Sequence, residues 1–86
     1  VEFEYDPKKS KANLKKHGIG FDEAQLLWED EDRIIFPGRS DVEDRYALIG
    51  SIRKKIWVAI FTLREERVRL ISVRRATKNE VEIYES

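Results

Sequence analysis

The chain has no cysteine and no methionine. The first absence excludes a disulfide framework and any thiolate metal site. The second means that Val1 need not be the first residue translated. No apolar run approaches the roughly 18–20 residues that a membrane-spanning helix needs, so no membrane partner is expected. Histidine occurs once, as His17, with no other ligand at metal-binding spacing. The run of acids at residues 29–32 lacks the glycine and alternating spacing of a calcium loop. The four glycines are scattered, so there is no phosphate-cradling loop, and no serine sits in a nucleophile elbow. No metal and no cofactor are therefore expected. The acidic opening VEFEYD is not expected to be a secretory leader. With no cysteine, the pattern fits a reducing cytoplasm.

What is present is charge. Eighty-six residues make one domain, residues 1–86, and 17 bases balance 17 acids. A neutral total argues against nucleic-acid binding, but the arrangement argues for it. Residues 7–20 hold five lysines and no acid, and residues 21–32 hold six acids and no base. Residues 33–78 hold twelve bases against five acids. Segregation of this kind can present a basic face despite zero net charge. The plainer alternative is an ion-paired, solvated surface.

The elements follow from local chemistry. Residues 3–5 read as a short edge strand. Asp6 can cap a helix whose first position is Pro7, and Gly18 can stop it. This helix, residues 7–17, has only Ala12 and Leu14 as an apolar seam. Phe21, Ala24, Leu27 and Trp28 fall on one face of a second helix, with Asp22 and Glu23 favoured in its first turn. Strands follow at residues 33–36, 45–52, 56–63 and 68–73. Pro37-Gly38 reads as a turn and residues 39–44 as a polar loop. Connections of about three residues join the last three strands as an antiparallel meander. The middle one is apolar on both faces and should be central. Thr77 and Glu80 have capping-box spacing for a final helix with Val81 and Tyr84 on its inner face. The fold class expected is α+β: an antiparallel sheet with two N-terminal helices and one C-terminal helix.

The candidate chemistry is a set of bases at strand ends. Arg53, Lys54 and Lys55 lie between two strands, Arg64 follows the middle strand, and Arg74 and Arg75 end the last one. Alternation places Arg74 with Leu70 and Ser72, and Arg75 with Ile71 and Val73. Guanidinium groups so placed can hold a phosphodiester and offset its transition-state charge. They can equally be strand-end charges that discourage aggregation.

Four stretches together resemble the BrnT toxin family, whose members adopt a RelE-like ribonuclease fold. They are FEYDPKKSKANLKKHGIGFDEA (residues 3–24), RYALIG (45–50), FTLRE (61–65) and VRLISVRRATKNEVEIYE (68–85). Asp6, Pro7 and Lys9 keep the family's D-P-x-K. Asn13, Lys16, His17 and Gly18 keep its N-x-x-K-H-G, while Tyr5 stands where the family often has Trp. The resemblance implies a metal-independent endoribonuclease that inhibits translation and growth until a cognate antitoxin covers it. That antitoxin would carry a DNA-binding domain, so the chain would meet DNA only through its partner. In this reading Arg64 and Arg74, with Arg75 as a third candidate, would clamp the scissile phosphate. His17 or Lys16 would move the proton, Tyr84 would position RNA, and Lys16 with Arg53, Lys54 and Lys55 would bind substrate. His17 has an equal alternative as a helix-end hydrogen-bonding residue. The competing function is a non-catalytic RNA- or partner-binding module of the same fold.

Overall fold

The computed structural model describes residues 1–38 and 44–86. The polar loop expected at residues 39–44 therefore lies almost wholly outside the described residues. The order is β1 (Glu2–Glu4), α1 (Pro7–His17), α2 (Phe21–Ala24), a 3₁₀ segment (Gln25–Glu29), β2 (Ile34–Pro37), β3 (Tyr46–Ile52), β4 (Lys55–Arg64), β5 (Arg67–Arg75) and α3 (Lys78–Glu85). Among the described residues, no helix is long and apolar enough to cross a membrane.

β3, β4 and β5 form the expected meander, joined by two-residue turns. The class is α+β, but the sheet is mixed rather than antiparallel throughout. Its order is β1-β5-β4-β3-β2, and β1 runs parallel to β5, pairing Phe3 with Val68 and Glu4 with Arg69. The chain between β1 and β5 is long enough to return in the same direction, which a hairpin cannot do. Phe3 also meets Trp28 edge-to-face at 5.1 Å, which ties β1 to the helical layer.

Strand alternation divides the core in two. One face carries Leu48, Ile52, Trp57, Ala59, Phe61, Val68, Leu70 and Val73, covered by Ile19, Phe21, Ala24 and Leu27. The other carries Ala47, Ile49 and Val58, with Tyr84 and Ala76 packed against them. Ile60 pairs with Ser72 and Phe61 with Leu70, so Ile71 is an extra residue in β5. This bulge corrects the strict alternation read from the sequence. Leu70 and Val73 share the helix-covered face, and Leu70 does not lie with Arg74.

The helices have the expected caps with one change of form. Asp6 accepts the Lys8 N–H at 2.9 Å, and Gly18 ends α1 at φ 82°. The seam expected at Ala12 and Leu14 is not what docks α1, for both are exposed. Its one buried residue is Asn13. The second helix is α-helical for four residues only and tightens into the 3₁₀ segment. That segment lies against β3 at Gly50, where an added Cβ would come within 3.2 Å of the Leu27 side chain. α3 carries the full capping box, with Thr77 N–H donating to Glu80 at 2.8 Å and Glu80 N–H to Thr77 at 3.3 Å.

Candidate functional site

The β3–β4 turn, the end of β5 and the end of α1 meet at one end of the sheet. Asn13 fixes the helix there. Its Nδ2 donates to the carbonyls of Ile19 and Val73, each at 2.8 Å, and its Oδ1 accepts the Val73 N–H at 3.1 Å. Three bonds from one buried amide hold α1 to Val73, two residues before the end of β5, and Lys16 and His17 follow in the next turn. His17 is half-buried and lies one turn beyond Asn13 on the same helix face.

Arg53 (φ 50°) and Lys54 (φ 70°) form the two-residue turn. Both values are left-handed, which a hairpin of this type requires and which non-glycine residues adopt at a cost. Arg53, Lys54 and Lys55 are exposed. Trp57 pairs with Arg75 across the strands, and the Arg75 guanidinium lies 5.4 Å from the Trp57 ring centroid. That cation–π contact orients an otherwise mobile arginine. A cleft of about 290 Å³ opens between these elements, lined by Gly18, Glu23, Ile52, Arg53, Lys55 and Trp57. Glu23 accepts from Arg53 Nη1 at 2.9 Å.

Two expected catalytic residues lie on the opposite face and are engaged in holding α3. Arg74 makes a forked pair with Glu80, at 2.7 and 2.9 Å. The hydrogen bond from Arg74 pulls the Glu80 carboxyl down to about 2, and the same bond raises the Arg74 pKa. Tyr84 donates its hydroxyl to Asp30 at 2.5 Å, and that bond pushes its pKa up to about 12. Burial acts to raise the Asp30 pKa. The Tyr84 hydroxyl, the N–H groups of Asp32 and Ser51 and the Arg33 charge outweigh it and hold Asp30 below the usual carboxylate range. α3 has no fully buried residue, so these two polar contacts are a large part of what seats it.

Arg64 is elsewhere. It pairs with Arg67, whereas Arg74 pairs with Val58, six residues back along β4. At about 3.3 Å per residue the two arginines stand roughly 20 Å apart. In this register the two do not stand side by side at one strand end. Arg64, Arg67 and Arg69 instead surround Glu4, at 3.8, 3.7 and 2.8 Å. The structure thus brings Lys16, His17, Arg53, Lys54, Lys55, Arg74 and Arg75 to one end, seats Tyr84 behind them, and leaves Arg64 at the other.

Sequence reasoning missed Asn13, Glu23, Asp30, Trp57 and Glu80 as parts of this region. Asn13 carried a signal, as the fixed asparagine of N-x-x-K-H-G. Asp30 was hidden in a run of acids, and only the fold separates it from its neighbours.

No curated protein matches the chain significantly. The sequence model described as the ribonuclease toxin BrnT of a type II toxin–antitoxin system matches residues 5–80. That span takes in α1, the whole meander and the capping box of α3, and so every element that builds the basic end. The chain belongs to the BrnT family of ribonuclease toxins of type II toxin–antitoxin systems.

Proposed function

We propose that this chain is a metal-independent endoribonuclease with a RelE-like fold, working at the basic end of its sheet. It would act in the cytoplasm, arresting translation and growth until a cognate antitoxin with a DNA-binding domain neutralises it. The observation that carries the reading is one open cleft lined by Arg53, Lys55, Trp57 and Gly18, with the Arg75 guanidinium on the Trp57 ring and His17 next to Gly18 in the chain. Family membership supports the substrate class and the existence of an antitoxin.

The chemistry needs no protein nucleophile. The RNA 2′-OH attacks the adjacent phosphorus, and the bond to the 5′-oxygen breaks. The 2′ proton leaves to a base, the 5′-oxygen takes up a proton, and a 2′,3′-cyclic phosphate remains. Holding that geometry can contribute up to roughly 7–11 kcal/mol, and one proton-transfer group typically about 10²–10⁴-fold. Arg75 and the turn cations offset the charge on phosphorus, and His17, with Lys16 beside it, handles the proton. Cations crowded here would also repel the paired divalent ions of metal-dependent nucleases. Arg64, with Arg67 and Arg69, would contact flanking phosphates of a longer RNA.

The test is cleavage of a single-stranded RNA by the purified chain in excess EDTA. Cyclic or 3′-phosphate ends are expected, with no cutting where the scissile nucleotide is 2′-deoxy. Activity that disappears in EDTA and returns with magnesium would overturn the mechanism. One observation favours a second reading, a non-catalytic RNA- or partner-binding module: Arg74 and Tyr84 are both engaged within the fold. Binding of RNA without any cleavage would support it.

A further inference from the structure

The cleft at the basic end contains one group that does not suit phosphate binding. Glu23 places a carboxylate among Arg53, Lys55 and the backbone of Gly18, where it would repel an RNA backbone. Its side chain is about one-third exposed, and its one charge partner among the described residues is Arg53. That contact uses a single nitrogen and a single oxygen, and Arg53 is itself 78 % exposed. A pairing this solvated is weak and exchangeable. Ile52 and Trp57, each only 7 % exposed, contribute a narrow apolar floor. Gly18 adds no obstruction, since there is nothing within 4 Å of where its Cβ would stand.

We propose that this cleft holds the base of a nucleotide beside the cleaved phosphate, and that Glu23 selects guanine there. The inference rests on the ribonuclease reading above. Its chemistry is that of the contact already present. Guanine's Watson–Crick edge carries N1–H and N2–H on the two nitrogens of a guanidine unit, the same pair of parallel donors an arginine offers. A carboxylate accepts both. Adenine and cytosine present one amino group beside an acceptor nitrogen, and uracil presents one N–H between two acceptors. Each would set a lone pair against a Glu23 oxygen. Exposed bases of single-stranded RNA are open to reading on this edge. When guanine replaces Arg53 on Glu23, the arginine is released toward the phosphate, and base recognition is coupled to charge neutralisation at the cut.

The experiment is a titration of the full chain with the 3′-monophosphates of guanosine, inosine, adenosine, cytidine and uridine. It is followed by NMR at the Gly18 amide and the Trp57 indole N–H. Guanosine 3′-monophosphate should bind at least about tenfold more tightly than inosine 3′-monophosphate, which lacks only the N2 amino group. Glu23→Gln should erase that difference while leaving the adenosine nucleotide bound as well as before or better, because a repulsive charge has gone. A merely structural Glu23 would weaken all five alike. Equal binding of guanosine and inosine nucleotides by the unaltered chain overturns the proposal without recourse to any variant. So does a guanine preference that survives Glu23→Gln. If guanine preference is found but no RNA is cut, the base site stands and the ribonuclease reading falls. If RNA is cut without base preference, the reverse holds.

Discussion

Asn13 grips the backbone of Val73 from both ends of its amide, donating to the carbonyl at 2.8 Å and accepting the N–H at 3.1 Å. A helix with almost no apolar face is thereby fixed to the sheet by polar chemistry. Because His17 is one turn further on, the same clamp sets where the only imidazole stands relative to Arg75.

The first prediction follows from that clamp. Asn13→Ala removes three bonds and leaves the Val73 N–H and carbonyl buried without partners. Each orphaned group costs about 1–3 kcal/mol, so a loss near 3–4 kcal/mol is expected, much of a small domain's stability. Asn13→Asp should also destabilise, since it cannot donate. A denaturation midpoint within the equivalent of about 1 kcal/mol of the parent for both variants would contradict the assignment.

Growth arrest should depend on the two ends of the sheet unequally. His17→Ala and Arg75→Ala are expected to abolish it, with melting temperature shifted by only a few degrees. Loss of the Arg75–Trp57 contact itself costs only about 0.5–1 kcal/mol. Arg64→Ala should leave partial toxicity, because Arg64 stands seven positions along β4 from Trp57, the strand partner of Arg75, or roughly 23 Å of backbone. Full toxicity of Arg75→Ala, or none in Arg64→Ala with folding intact, would move the site to the other end.

The α3 contacts make stability depend on pH at both extremes. Glu80 has its pKa depressed to about 2 when folded, against 4.5 as the ordinary value. Its contribution is complete above pH 4.5 and is lost as pH falls toward 2. Tyr84 has its pKa raised to about 12 from 10, so its contribution is complete below pH 10 and is lost as pH rises through 12. Glu80→Gln should flatten the acid limb of the melting-temperature profile, and Tyr84→Phe the alkaline limb. Unchanged limbs in the variants would show that other groups govern them.

Both tight turns are built from residues unsuited to them. Glu65 (φ 49°) and Glu66 (φ 70°) repeat the left-handed geometry of Arg53 and Lys54. Glu66→Gly should stabilise the fold by about 0.5–1 kcal/mol, with no effect on cleavage of an RNA too short to reach Arg64 and Arg67, since it is remote from the basic end. Lys54→Gly should stabilise by a similar amount but weaken RNA binding and its dependence on salt. Urea denaturation and filter binding at two salt concentrations would test the pair. Equal effects of the two glycines on RNA binding would contradict the site.

Much of the frame was legible because it depends on neighbours in sequence. The caps at Asp6, Gly18 and Thr77 each join residues two to four apart, so spacing alone exposes them. The meander was visible because period-two alternation and short connections are also local. The parallel pairing of β1 with β5 was not, since it joins residues 65 apart and has no local signature.

The site divides along the same line. The sequence by itself determined that lysine and arginine accumulate at helix and strand ends, and that a family motif surrounds His17. Which of those charges share a site was decided only by tertiary structure. The β4–β5 register sets Arg64 apart from Arg74, and the bulge at Ile71 reassigns Leu70. Partners on other elements, Glu80 on the next helix and Asp30 just after the 3₁₀ segment, claim Arg74 and Tyr84. A side chain's formal charge is fixed by its identity, but its availability depends on what the fold brings within about 3 Å of it. Those distances arise from packing two layers onto one sheet, which no window of sequence contains.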